Sequence, residues 1–182
     1  MTSENKTQGQ LILEHSLQTF FFDQLQQVNG KSTKPVPGEV IYYSSLVMDK
    51  FGESKQYFDF AEGRPKDKIL GVKLLETQQK PRTQQKRELK DIGDTALFLC
   101  GYFSESLNSK LVDTRYYQEL GQIAYDRLNH LVPEAFEVPS FFKMMSRGFG
   151  PLTTMMSIVA SQFQRQNESD VLLIVGDALK AS

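Results

Sequence analysis

The sequence predicts an all-α fold, a single compact multi-helix bundle, on three observations. First, Leu89 to Leu131 reads as two helices, a central buried one over about 84–108 and its antiparallel partner over about 114–131. Leu89, Ile92, Ala96, Leu99, Phe103 and Leu107 fall on one stripe, and Leu97, Phe98, Cys100 and Tyr102 spread the apolar arc around most of the circumference. A helix with so narrow a polar strip needs neighbours on several sides. Second, the flanking segments repeat apolar residues every three or four positions between glycine and proline breaks. Third, the one strand-like run in the first half, Ile69 to Leu75, has no convincing second strand to pair with, and a lone strand is not stable.

Taken in order, residues 1–8 are polar and expected to be disordered, leaving 9–182 as the helical domain. Leu11, Leu13, Leu17, Phe20, Phe21, Leu25 and Val28 give a first amphipathic helix that ends at Asn29-Gly30. Phe20, Phe21 and Phe22 are too wide for one stripe, so one ring is expected at a surface or against a separate element. After the proline-containing loop KSTKPVPG, a helix from Glu39 to Phe51 carries Val40, Tyr43, Val47 and Phe51, with Tyr42, Leu46 and Met48 beside them. A short helix is expected over 54–60, and another behind Pro65 with Ile69, Val72, Leu74 and Leu75.

The central helix follows Pro81, and Asp113 or Thr114 would cap its partner, whose stripe is Tyr117, Leu120, Ala124 and Leu128. A short connection favours antiparallel neighbours. Gly93, Gly101 and Gly121 lie inside these helices at about 1 kcal/mol each against alanine, a cost explained if neighbouring bulk needs the space. Beyond the loop bracketed by Pro133 and Pro139, FFKMMS is expected to form a short helix stopped at Gly148. A separate helix then opens at Gly150-Pro151 with Leu152, Met155, Met156, Val159 and Phe163 on one face. The last stretch, SDVLLIVGDALKAS, could be strand or helix and is assigned to helix for want of strand partners.

Composition narrows function by exclusion. A chain of 182 residues is one domain by length, with a net charge of -1 that offers no overall field for nucleic acid or anionic lipid. The basic run Lys80 to Lys90 is interleaved with Gln and Thr rather than aromatic residues, which disfavours nucleic-acid binding. Cys100 is the single cysteine, so no internal disulfide is possible, and its apolar flanks mark it as a buried small hydrophobe. His15 and His130 lack partners at ligand spacing, so no metal is expected, and neither a phosphate-binding loop nor a nucleophile elbow occurs. No apolar run is long enough to span a membrane and the first residues do not read as a signal, which makes cytoplasmic the expected location.

Glu88, Asp91 and Asp94 share one helix side, the layout of a carboxylate cluster, but Arg87 and Lys90 lie at ion-pairing distance along the helix. Asp94 sits beside the apolar stripe, and burial there would require a hydrogen-bonding partner such as Tyr116 or Tyr117.

The segments GDTALFLCGYFSESL (Gly93 to Leu107) and LVDTRYYQELGQIAY (Leu111 to Tyr125) resemble those of an uncharacterised family of proteobacterial helical proteins. EVIYYSSLVMDKF, Glu39 to Phe51, is similar to that family's earlier helix. The resemblance implies a bacterial cytoplasmic helical domain with no assigned activity.

The expected function is therefore a non-enzymatic interaction or regulatory protein, without cofactor, that binds a protein partner or a second copy of itself. The alternatives are a small-molecule or lipid-binding module and an enzyme with an unrecognised carboxylate site. The candidate surface or pocket comprises Phe22, Tyr42, Tyr43, Tyr116, Tyr117, Met144, Met145 and Met155, with Asp94 as the candidate buried polar group.

Overall fold

The computed structural model describes residues 17–52, 66–104 and 114–180. The residues before Leu17, the proposed helix over 54–60, Leu107 and the proposed cap Asp113 lie outside the described residues. Side chains are described as far as Phe163 and at Arg165 in the last helix.

The chain is an all-α bundle. Its elements are α1 (Leu17–Gly30), α2 (Gly38–Gly52), α3 (Lys66–Glu76) with a 3₁₀ turn Thr77–Gln79, α4 (Arg82–Tyr102), α5 (Thr114–Leu131) and α6 (Phe141–Lys180). Between α5 and α6 sits a two-stranded antiparallel ladder, β1 (Glu134–Ala135) and β2 (Val138–Pro139), that the sequence did not announce.

Helix α4 is the interior rod that its apolar circumference demands. Leu89, Ile92, Gly93, Asp94 and every residue from Ala96 to Gly101 are buried. The helix begins at Arg82 and ends at Tyr102, where Phe103 leaves helical geometry (φ -113°, ψ 24°), earlier than the expected end near 108. Its glycines mark the contacts with neighbours. A Cβ built on Gly93 would stand 2.6 Å from Cε1 of Tyr125, and one on Gly101 2.6 Å from Cβ of Met156. On α5, a Cβ at Gly121 would meet the Phe149 ring at 2.3 Å. Real Cβ atoms do not approach so closely, so small residues here let α4, α5 and α6 pack at short range. The Gly93–Tyr125 and Cys100–Thr114 contacts make α4 and α5 antiparallel.

Helix α1 lies on α2 and reaches α6. Phe20 and Phe21 meet the Phe163 ring at centroid distances of 5.6 and 5.7 Å, within the range where aromatic pairs attract. Phe22 turns instead toward Tyr42 of α2, at 5.8 Å. The three consecutive rings thus divide between two neighbours.

One expectation is corrected by α6. The segment expected as a short FFKMMS helix stopped at Gly148, followed by a new helix, is one continuous helix with Pro151 inside it. Proline at 151 removes one backbone donor and crowds the carbonyl four residues earlier. Tertiary packing outweighs that cost, because Phe149, Leu152, Met156 and Val159 are all at or near zero exposure on both sides of the proline. The hydroxyls of Thr153 and Thr154 donate to the Gly150 carbonyl at 2.9 and 3.1 Å, giving that acceptor additional partners. At the other end, the last stretch is helix through Lys180, as the want of strand partners led one to expect.

Candidate functional site

A cleft of about 510 Å³ opens between α1, α2 and the β1–β2 hairpin. Phe22 and Gln26 of α1 form one side, Glu39, Tyr42, Tyr43 and Leu46 of α2 the floor, and Phe136, Val138 and Phe141 the other side. Tyr42 is 51% exposed and Phe136 62%, an unusual degree of exposure for rings of this size. Helical spacing explains the α2 contribution. Glu39, Tyr42, Tyr43 and Leu46 recur at three or four positions and so share a face.

The hairpin holds Phe136 in place by a conformation that costs energy. Phe136 and Glu137 both have positive φ, 53° and 61°, as the two central residues of a tight two-residue turn require. Glycine or asparagine is usual there, and a bulky side chain in this region is strained by roughly 1 kcal/mol or more. In exchange the Phe136 ring lies 5.7 Å from that of Tyr43 and 5.2 Å from that of Phe141. Neither the residue types nor their spacing signals this turn.

Beneath the cleft floor lies a polar cluster centred on a buried carboxyl group. Asp94, 1% exposed, accepts from Tyr43 Oη at 2.6 Å and from Tyr125 Oη at 2.9 Å, both on Oδ1. Lys90 Nζ donates to Oδ2 at 2.6 Å and stands 5.1 Å from the centroid of the Tyr43 ring. Burial, and then the negative charge of Asp94, push both phenols far above the ordinary tyrosine range, so they stay protonated and act as donors. The cluster ties α2, α4 and α5 together through one carboxyl group. Its buried side-chain polar atoms are all satisfied. Such an arrangement specifies packing.

The partners expected for Asp94, Tyr116 and Tyr117, are the wrong tyrosines. In an antiparallel pair, each turn backward along α4 corresponds to a turn forward along α5. Cys100 is level with Thr114 and Gly93 with Tyr125, so Asp94 meets the tyrosine about two turns beyond Tyr117. Tyr117 is buried in the core, and Tyr116 faces α3, its hydroxyl filling the space beside Gly71.

Of the other residues named from sequence, Phe22, Tyr42 and Tyr43 line the cleft. Met145 and Met155 are core residues, and Met144 is partly buried against the core. Glu88, Asp91 and Asp94 do not converge. Lys80 takes Glu88 at 2.8 Å, Lys73 takes Asp91 at 2.7 Å, and Asp94 points inward. Among the described residues no group of three or more His, Cys, Asp or Glu could hold a metal ion, and no helix is long and apolar enough to cross a membrane.

No protein-family model, curated protein or solved structure matches this chain.

Geometry therefore carries the functional reading. Cys100 is buried and burial pushes its thiol up to about 12, which removes it as a nucleophile at neutral pH. A smaller cavity of about 190 Å³, lined by Thr77, Gln78, Gln85, Leu89, Arg127, His130 and Leu131, lies between α4 and α5. There Arg127 reaches the Leu74 carbonyl, at 3.5 Å, and the Gln78 side-chain oxygen, and the His130 ring contacts its own helix backbone. The aromatic cleft is the better-formed site.

Proposed function

We propose that this chain is a non-enzymatic binding protein that seats an apolar segment of a protein partner in the cleft between α1, α2 and the β1–β2 hairpin. The observation that carries this reading is the convergence of the exposed rings of Tyr42 and Phe136, with Phe22 and Leu46, around one open depression. Exposed apolar side chains are ordinarily scattered, and their clustering around a concavity is the signature of a recognition surface. The cleft is open rather than enclosed, which favours a protruding side chain or short segment over a sequestered metabolite. The motif resemblance supports placing this activity in a bacterial cytoplasm.

The reading is tested by selecting displayed random peptides on the full chain. Enriched peptides should share an apolar anchor and bind at least about tenfold more weakly to a Phe136→Asp variant, as expected for loss of an aromatic anchor contact. Aspartate tolerates the backbone conformation at 136, so the variant's thermal midpoint serves as the folding control. Absence of a consensus, or equal binding to both proteins, overturns the proposal. So does a wild-type dimer in sedimentation that Phe136→Asp dissociates, since the face would then serve a second copy of the chain.

A further inference from the structure

We infer that the segment seated in the cleft presents a basic side chain, lysine or arginine, to Glu39 and the rings around it, an inference that rests on reading the cleft as a docking site. Among the described residues that line it, Glu39 is the one charged side chain, and none is Lys or Arg. Glu39 is exposed and makes no ion pair among the described residues.

Two physical arguments then select the occupant. A purely apolar segment laid over Glu39 would strip water from a carboxylate and leave it unpaired, which is unfavourable. A basic side chain supplies the missing partner. Aromatic faces also attract cations placed within about 6 Å of the ring centre. The fold uses that attraction at Lys90 over Tyr43, while Tyr42 and Phe136 hold no cation among the described residues. An anionic segment would meet Glu39 and the negative ring faces together.

The test uses the full-length ¹⁵N-labelled chain titrated with three blocked tripeptides, acetyl-Leu-Lys-Phe-amide and its norleucine and glutamate counterparts. The lysine peptide should shift the amides of Glu39, Tyr42 and Phe136 and bind roughly three- to tenfold more tightly than the norleucine peptide, with glutamate weakest. Glu39→Gln should abolish the lysine advantage over norleucine, with amides remote from the cleft unshifted as the control for folding. Equal binding of lysine and norleucine peptides, or a lysine advantage that survives Glu39→Gln, overturns this inference and leaves a docking site for neutral segments. If none of the peptides shifts the cleft amides at millimolar concentration, the docking reading falls with it.

Discussion

Tyr125 occupies the space that a side chain at Gly93 would need: a Cβ there would lie 2.6 Å from its ring. The same tyrosine donates its hydroxyl to Asp94, the next residue on α4. Small size at one position and a buried carboxyl at the following one are thus two halves of a single helix contact.

Gly93→Ala should accordingly destabilise the protein despite alanine's better helix propensity. Overpacking against a buried ring costs about 1–3 kcal/mol, against about 1 kcal/mol gained in propensity. With the added Cβ only 2.6 Å from a buried ring the overpacking lies toward the top of its range, so a net loss of up to about 2 kcal/mol is expected in urea unfolding. Gly30, where an added Cβ meets nothing within 4 Å, is the control, and Gly30→Ala should be neutral or slightly stabilising. Equal midpoints for the two variants would contradict the close contact.

Removing the Asp94 carboxyl should be severe. Asp94→Ala leaves two buried phenols and Lys90 without their acceptor, at an expected cost of about 3–5 kcal/mol. Tyr43→Phe and Tyr125→Phe should each cost about 1–2 kcal/mol in the wild-type background and much less in Asp94→Ala. Additive losses in that double-mutant cycle would show that the hydroxyls do not act through Asp94.

Acid should weaken the bundle through two ion pairs. Hydrogen bonding to Lys80 holds Glu88 below the usual glutamate range, and hydrogen bonding to Lys143 does the same for Asp126. A carboxyl whose folded pKa is depressed contributes stability that is fully present above its unfolded pKa and lost as pH falls through the folded value. The thermal midpoint should therefore fall as pH drops from about 5 toward 3, and the fall should be shallower in Lys80→Met and Lys143→Met. Midpoints recorded across that range check the sign.

Pro151→Ala should stabilise α6. The position is exposed, and alanine would restore a backbone donor to the Arg147 carbonyl. Proline inside a helix costs about 3 kcal/mol relative to alanine, so a gain on the order of 1 kcal/mol should survive any repacking. A lower midpoint for the variant would mean that the packing of Phe149 and Leu152 requires the proline's local geometry.

The fold was legible where a physical constraint is local. The apolar circumference of Ile92 to Phe98 permits only an interior helix, and the glycines at 93, 101 and 121 announced close neighbours without naming them. Where the deciding force acts at a distance, the residues alone mislead. The proline at 151 argues for a break, and the buried side chains on either side, which prevent one, are visible only once the core is assembled. Asp94 was identifiable as a buried acid, yet its partners depended on the register between α4 and α5 and on α2, which lies 51 residues away at Tyr43. The cleft was half legible. Tyr42 and Tyr43 lie side by side on α2 and Phe22 stands out in the run of three rings on α1, whereas Phe136 enters through a turn whose residues carry none of the usual glycine or asparagine marks.

Tyr43 belongs to both the cleft and the core, its ring forming part of the floor and its hydroxyl ending at Asp94. A ring fastened at its far edge does not swing aside, so under the docking proposal the entropy of ordering this part of the floor is lost during folding and not at the encounter. Preorganisation of this kind favours selectivity over adaptability. The fastening also runs inward: the carboxyl group that holds the ring is shared by α2, α4 and α5, so the contact that fixes the cleft floor is the one that fixes how three helices meet.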